Sequence, residues 1–178
     1  MTKILSIDQS ITSTGYAVIE GEKLITSGTL QPKHLKTTVE KIIYITNHLE
    51  SLVNNDSISY IAREGFSFGS KNRAFVLGGL GYAIDCLFHK EYKNRYYIIP
   101  PSIVKKFITG SGNAKKDQMM LQTYKKYQME FKNNDECDAF TIGMFLHNFL
   151  IWNKRKQETL HLKYEVECFK AFEKIVEK

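Results

Sequence analysis

Three short β-rich runs follow one another within the first 28 residues of the chain. They cover residues 3–8 (KILSID), 15–20 (GYAVIE) and 22–28 (EKLITSG), and the first two are joined by the polar stretch QSITST, which suits a turn. Polar and apolar residues alternate along the third run with a period of two, the pattern of a half-buried strand. The N-terminal part of the chain therefore predicts an antiparallel meander of three strands.

A different pattern begins near residue 36, where helical and strand-like segments alternate. Apolar residues recur at helical spacing over about 36–53 and 73–89, and each predicted helix is followed by a strand-like run, at 58–63 and 95–99. The remaining predicted elements are a short helix that reaches residue 107 and helices over 115–127, 138–152 and 154–178. This order predicts an α/β fold in which helices flank a mixed central sheet of antiparallel and parallel strands.

Length limits how much this fold can contain. A chain of 178 residues with 43% hydrophobic content can bury one core and is too short for two ordinary domains. We expect one compact unit over residues 1–152, with the charged stretch 153–178 as a helical extension of the same domain.

The chain shows no targeting or membrane-spanning signal. It has no run of 18 apolar residues, and its start, MTKILSID, is typical of a strand rather than a signal peptide. We therefore expect a soluble, cytoplasmic protein without membrane contact. Cys86, Cys137 and Cys168 are widely spaced and form no zinc-binding pattern, so we expect reduced, buried thiols.

The charge balance permits binding to a polyanion. Lysine and arginine number 25 against 19 acidic residues, which gives a net charge of +6 and an isoelectric point near 9.1. Many of the basic residues come in doublets, such as Lys105-Lys106 and Lys115-Lys116. Because many proteins carry such a charge without binding nucleic acid, the motifs must decide the function.

Four acidic residues stand beside hydrophobic segments. Asp8 and Glu64 each come directly after an apolar run of a predicted strand, and Asp135 and Asp138 stand at the start of the apolar segment DAFTIGMFLHNFL. A separation of three residues places the last two on one face of a helix. Singly, each acid has an ordinary structural interpretation, as a turn residue or as an acid that favours a helix N-terminus.

Taken together, the four acids predict a metal site. Carboxylate oxygens at the ends of several elements suit Mg²⁺ or Mn²⁺, and one or two such ions can activate water for attack on a phosphodiester. Such a site also offsets the cost of burying charge at a strand end.

Two stretches resemble motifs of the RuvC family of Holliday junction resolvases. SIDQSITSTGYAVIE is similar to the first motif of that family, with Asp8 at the strand end and Gly15, Tyr16 and Val18 in the next strand. IAREGFSFGSKN is similar to the second motif, in which an acid, here Glu64, precedes an aromatic loop. The first loop departs from the family, which usually has Pro-Gly after the aspartate.

The other two motifs occur in the family's order. KKFITGSGNAKKDQM resembles the basic third motif and aligns Lys105 and Lys116 with lysines near the scissile phosphate, and NNDECDAFTIGM resembles the closing motif that supplies Asp135 and Asp138. The resemblance covers about residues 3–150. It implies an RNase H-like fold and a divalent-metal-dependent homodimer, with two active sites that nick a four-way junction symmetrically.

The resemblance also implies which residues touch DNA. Phe66 and Phe68 compete for the role of an aromatic wedge at the junction centre, with a loop phenylalanine packed on its own core as the alternative. Basic contacts are expected from Lys71, Lys105, Lys115 and Lys116. Glu136 adjoins the acids of the closing motif and is an alternative ligand to Asp135.

Several interpretations stay open at the level of sequence. A branched-DNA-binding module without catalysis is one alternative, although all four acid positions are filled. An actin-like nucleotide-binding fragment is a weaker one, because that fold needs far more than 178 residues. A bacteriophage-type member that also accepts three-way junctions, flaps and forks is a hypothesis about breadth. For the C-terminal stretch, the default interpretation is a solvated helix, with a dimer element or a DNA-contacting helix as alternatives.

Overall fold

A computed structural model of the chain describes residues 2–65, 74–155 and 161–177. The elements follow in the order β1 (Lys3–Asp8), β2 (Thr14–Glu20), β3 (Lys23–Leu30), α1 (Thr38–Asp56), β4 (Tyr60–Glu64), α2 (Ala74–Tyr92), β5 (Tyr96–Ile99), α3 (Pro101–Thr109), α4 (Lys116–Tyr127), α5 (Asn134–Arg155) and α6 (Lys163–Val176). Each predicted strand and helix has a counterpart in this order.

The strands form one mixed sheet with the order β3-β2-β1-β4-β5. The first three strands pair antiparallel as the predicted meander, whereas β4 pairs parallel with β1 and β5 pairs parallel with β4. The prediction of an α/β fold with a mixed sheet is therefore confirmed. Because β1 and β4 run in the same direction, their carboxyl ends meet at the same edge.

The sheet carries a separate hydrophobic core on each face. Alternation along β1 sends Ile4 to the face covered by α3, α4, α5 and α6, and it sends Leu5 to the face covered by α1 and α2. The same alternation in β4 places Ala62 with Ile4 and Ile61 with Leu5. Successive residues of a strand therefore enter opposite cores.

The helix α5 is the central element of the first core. It packs on β1 and β2, and Phe140, Phe145 and Phe149 on it are almost fully buried. A helix that is apolar around most of its circumference must be buried on most sides, as the segment from 138 to 152 is here. The helix begins at Asn134, four residues earlier than predicted, so both Asp135 and Asp138 lie within its first turns.

The C-terminal helix α6 corrects one interpretation of the sequence. Phe169 and Phe172 are fully buried against Phe145 and Phe149 of α5, with ring centroids 5.0 to 6.3 Å apart. The default interpretation of this stretch as a solvated helix is therefore wrong for this face. The helical spacing of Phe169 and Phe172 is visible in the sequence, but it does not show that α5 covers this face of the helix.

The three cysteines are free thiols. Cys137 and Cys168 are buried as predicted, but Cys86 is exposed because its position falls on the face of α2 that points away from the sheet. None of the described helices is long and apolar enough to cross a membrane.

Candidate active site

Two acidic side chains meet at the carboxyl edge of the sheet. Asp8 is the last residue of β1 and Glu64 is the last residue of β4, and the parallel register that pairs Ile7 with Arg63 brings them side by side. Both residues follow the alternation of Ile4 and Ala62, so they point toward the face that α5 covers. The predicted juxtaposition of these two acids is present.

The helix α5 brings the other two acids to the same place. In the antiparallel register, Asp8 stands opposite Gly15 of β2, and the backbone of Asp135 packs directly on Gly15. The first turn of α5 is therefore pressed against the end of β1. Asp135 and Asp138 lie one turn apart, and the ammonium group of Lys116 lies 3.8 Å from a carboxylate oxygen of each.

These side chains surround one cavity of about 200 Å³. Its charged lining consists of Asp8, Glu64, Asp138, Lys105 and Lys116, and its apolar lining comes mainly from α3, α4 and α5. Asp135 stands at the side of this cavity, where it contacts Lys116. Five elements from different parts of the chain thus place three acids and two lysines around a single space.

Burial raises the pKa of three of these acids, Asp8, Glu64 and Asp138. The pKa of Asp8 is well above its ordinary value, first because the carboxyl group is buried and then because Glu64, Asp138 and Asp135 repel its charge. Burial is also the main cause of the raised pKa of Glu64 and of Asp138. Lys116 partly offsets this effect at all three raised carboxyl groups. The negative charge at this edge is therefore only partly balanced by the lysines.

This excess of buried negative charge fits a divalent cation. Raised pKa values report that the ionised carboxylates lack a compensating charge, and a cation among them would supply it. Among the described residues, no three His, Cys, Asp or Glu side chains lie close enough together to form a ready-made metal shell. Asp8, Glu64 and Asp138 nevertheless line one cavity, so their carboxylates are the donors that would hold a cation there.

The predicted basic residues divide into two groups. Lys105 from α3 and Lys116 from the first turn of α4 line the cavity. Lys115 precedes α4 as its N-cap residue and is exposed outside the lining of the cavity. Phe66, Phe68 and Lys71 lie outside the described residues.

Glu136 is turned away from the cavity. Its carboxylate accepts hydrogen bonds from the hydroxyl group of Ser27 at 2.9 Å and from the amide of Asn133 at 3.0 Å, on the side of β3. The geometry therefore favours Asp135 over Glu136 as a member of the acidic cluster. Adjacent residues of a helix differ by about 100° in direction, and this difference separates their roles.

Sequence reasoning missed one partner of the cluster. The hydroxyl group of Ser13, in the loop between β1 and β2, donates a hydrogen bond of 2.5 Å to Asp135, and Gln31 donates to Ser13 at 3.3 Å. The sequence predicts this loop as a turn within the first motif, but it does not relate Ser13 to Asp135, which lies 122 residues further along the chain. Ser13 orients the one acid of the cluster that stands beside the cavity rather than in its lining.

Substituting Gly15 with alanine should disrupt both the fold and the site. An added Cβ would lie 2.1 Å from the carbonyl oxygen of Asp135, so the first turn of α5 must move away from β1. We expect a loss of about 1–3 kcal/mol in the free energy of unfolding, measured by urea denaturation. Gly65→Ala is the control, because its Cβ would meet nothing closer than 3.4 Å. Equal stability of the two variants would contradict the close packing of α5 on β2.

Comparison with known proteins identifies a family. The profile of the family described as "Crossover junction endodeoxyribonuclease RuvC" matches residues 4–146. The chain is 30% identical over 149 residues to the RuvC crossover junction endodeoxyribonuclease of Aliarcobacter butzleri, a match that covers 80% of this chain and 96% of the relative. It is also 30% identical over 150 residues to that of Rickettsia conorii, with 79% and 93% covered.

Solved structures agree on the fold. RuvC of Thermus thermophilus superposes with a TM-score of 0.70 at 17% sequence identity, and the match covers 87% of this chain and 97% of that one. The same enzyme in complex with a Holliday junction substrate also gives a TM-score of 0.70, with 88% and 97% covered. The matches to the family and to the two relatives span most of the described elements. The chain belongs to the family of RuvC crossover junction endodeoxyribonucleases.

Proposed function

We propose that this chain is a structure-specific endonuclease that resolves Holliday junctions and related branched DNA by paired, symmetric nicks. The observation that carries the proposal is the convergence of Asp8, Glu64 and Asp138 with Lys105 and Lys116 around one cavity in a member of the RuvC family. The filled acidic site does not favour a binding module without catalysis. The family match does not favour an actin-like nucleotide-binding fragment.

The RuvC family is one of divalent-metal-dependent nucleases. We propose that Mg²⁺, which Mn²⁺ can replace, is held by Asp8, Glu64, Asp135 and Asp138, with one or two ions per site. Carboxylate oxygens are the donors that these ions prefer, and the raised pKa values of three of the acids support a cation among them. A bound ion supplies Lewis-acid stabilisation of the phosphate and lowers the pKa of the attacking water.

The lysines have a separate role in the proposed reaction. Water forms a bond to phosphorus, one P–O ester bond breaks, and the leaving oxygen takes up a proton. The ammonium groups of Lys105 and Lys116 line the same cavity and would bind the phosphate oxygens as negative charge builds on them. Their charge also keeps a DNA phosphate from being repelled by the acidic cluster.

The proposed substrate is branched DNA. The net charge of +6 and the lysines beside the cavity support binding to a phosphate backbone. Among the structural relatives, the Thermus thermophilus enzyme was solved with a Holliday junction substrate. We propose further contacts from Phe66 or Phe68, from Lys71 and from Lys115, and we place the reaction in the cytoplasm, where the DNA is reached without crossing a membrane.

A panel of labelled substrates tests this function. Four-way junctions, three-way junctions, flaps and linear duplexes of equal length should be incubated with the protein in Mg²⁺, in Mn²⁺ and in EDTA. We expect paired, symmetric nicks in the four-way junction with either metal, no nicks in EDTA and an uncut linear duplex. Affinity for the junction should fall steeply as salt rises. Tight junction binding without cleavage in either metal would contradict the nuclease, and cutting confined to four-way junctions would contradict the broader substrate range.

We also propose that the protein acts as a homodimer through α1 and α2. The first thirteen residues of α2, from Ala74 to Cys86, carry a single charge, and Phe75 and Tyr82 on this helix are 96% and 67% exposed. Val39 and Ile43 on the neighbouring α1 are also exposed. Several exposed apolar side chains on two helices that pack on each other are uncommon on a monomer, and a second copy related by a two-fold axis would cover them with the same two helices.

Substitution of Tyr82 by glutamate should convert the dimer to a monomer. A charge placed in the centre of an apolar interface leaves an unpaired carboxylate, which opposes association. Light scattering after gel filtration should give twice 20.6 kDa for the wild type and 20.6 kDa for the variant. Leu121→Glu, at a 51% exposed position on α4, is the control and should stay dimeric. A monomeric wild type, or a dimeric Tyr82→Glu variant, would contradict this interface.

A further inference from the structure

An arginine is buried in β4 beside the proposed active site. Arg63 has no exposed surface, although the run ISYIAR otherwise reads as an apolar strand. The alternation of β4 sends its side chain to the face of α1 and α2, opposite to the face that Glu64 occupies. Burying a guanidinium group is costly unless every charge and donor near it is matched, so its partners are informative.

Arg63 joins three elements through one hydrogen-bonded group. Its Nε and Nη2 donate to the two carboxylate oxygens of Asp85 on α2, each at 2.7 Å, which is the bidentate geometry of a strong charge-assisted pair. The hydroxyl group of Tyr96 on β5 lies 2.9 Å from Nε and donates to Asp85 at 2.5 Å. We call Arg63, Asp85 and Tyr96 the triad; Arg63 is buried, and Asp85 and Tyr96 are half-buried.

The triad reaches the main chain of the proposed metal ligand. Nη1 of Arg63 donates to the carbonyl oxygen of Glu64 at 2.9 Å. The next N–H group, that of Gly65, donates to the carbonyl oxygen of Ile99 on β5 at 2.8 Å. Both polar atoms of the peptide unit between Glu64 and Gly65 are therefore held, one by the triad and the other by the neighbouring strand. This peptide ends the strand at the point where the carboxylate of Glu64 must face Asp8.

We propose that Arg63 is a positioning residue of the active site. With Asp85 and Tyr96, it clamps the Glu64–Gly65 peptide and so holds the carboxylate of Glu64 toward Asp8 and Asp138. The same clamp ties the orientation of Glu64 to the helix α2. The inference rests on the proposed function, because it names the residue that positions one of the proposed metal ligands.

Stability of the fold alone does not account for the triad. Replacement of a buried ion pair by apolar residues of similar volume is often neutral or stabilising, so a strand and helix held only by packing would serve as well. What an apolar group cannot replace is the directed hydrogen bond to the carbonyl of Glu64. Partners of this kind, which orient a metal ligand, typically change metal affinity or activity by about 10- to 100-fold when removed.

The test replaces the whole triad with apolar residues of similar size, as Arg63→Met, Asp85→Leu and Tyr96→Phe in one variant. We expect an unchanged or higher melting temperature, unchanged junction affinity in EDTA, and a single-turnover cleavage rate lowered by about 10- to 100-fold. Binding of Mn²⁺, measured by electron paramagnetic resonance without DNA, should weaken by at least several-fold. Tyr92→Phe is the matched control, because it removes a buried hydrogen bond from α2 to Ile58, in the segment before β4. It should leave the cleavage rate and the Mn²⁺ affinity unchanged.

The outcomes separate this inference from the proposed function. A folded triple variant with wild-type cleavage and Mn²⁺ affinity would overturn the positioning role while the nuclease stands. A wild type that cuts no branched DNA would overturn the proposed function, and unchanged Mn²⁺ affinity of the variant would then also overturn the clamp. If the triple variant does not fold, Arg63→Lys decides, because one ammonium group cannot bind Asp85 bidentately and the Glu64 carbonyl together. A wild-type cleavage rate in Arg63→Lys would overturn the inference.

Discussion

Substitution of Asp8 by asparagine should abolish cleavage while leaving junction binding intact or tighter. The amide keeps the size of the side chain but removes the charge at the centre of the acidic cluster, where Asp8 lines the cavity with Glu64 and Asp138. Lewis-acid stabilisation is worth several kcal/mol, and each 1.36 kcal/mol changes the rate tenfold, so we expect a fall of about 10³-fold. Binding should not suffer, because the lost charge repels phosphate.

The same variant should be more stable than the wild type in EDTA. The folded-state pKa of Asp8 is raised, so the folded protein gains stability from this group only at low pH and loses it as the pH rises through that pKa. Asparagine removes this loss, and the gain in melting temperature should therefore be larger at pH 8 than at pH 4. An equal gain at both values would contradict the burial of an uncompensated charge at this position.

The control for the predicted loss of cleavage is Asp56→Asn at the end of α1, which makes the same chemical change outside the cavity. It should leave both the cleavage rate and its metal dependence unchanged. Single-turnover cleavage of a labelled four-way junction in Mg²⁺ and in Mn²⁺ is the measurement. Substantial cleavage by Asp8→Asn would remove Asp8 from the reaction.

Substitution of Lys116 by alanine should lower the cleavage rate by about 10²-fold. Its ammonium group lies 3.8 Å from carboxylate oxygens of both Asp135 and Asp138, at the point where a phosphate would approach the acids. Removing one positioned donor to a developing negative charge typically costs this much. Lys105→Ala should act in the same direction, because Lys105 lines the same cavity.

The pH dependence of the Lys116 variant gives a second readout. Lys116 lowers the pKa of Asp8, Glu64 and Asp138, so its removal should raise all three. The acids must be ionised to bind a metal, and the acidic limb of the rate profile should therefore move to higher pH. Lys125→Ala removes the same charge from an exposed position on the same helix and serves as the control. An unshifted limb with a normal rate would exclude Lys116 from the site.

The order of the elements and the acids at the two strand ends were predictable from local patterns. Alternation with a period of two identifies a strand, and a carboxylate directly after it falls at the edge of the sheet wherever the strand lies. Asp135 and Asp138 were predictable as a pair because three residues make almost one helical turn. The motif resemblance then joined separate segments that no local pattern relates.

Other features depended on contacts between distant residues. Glu136 and Asp135 are neighbours in sequence, yet Ser27 and Asn133 hold the first while Ser13 and Lys116 contact the second. The sequence does not show which way the first turn of α5 faces, because that direction follows from packing against Gly15 of β2. The burial of α6 was not predictable for a similar reason. Its phenylalanines pack against phenylalanines of α5, and the sequence does not show that these two helices are in contact.

The sequence by itself determined the alternation of strands and helices, the excess of positive charge and the four acids at element ends, because each of these follows from residue types at short spacing. Only the tertiary structure decided that Asp135 stands beside the cavity, that Glu136 faces away from it and that Arg63 holds the main chain of Glu64. These features depend on distances between residues far apart in the chain. Such distances are set by the packing of the helices on the two faces of the sheet, and the spacing of residue types along the chain does not specify them.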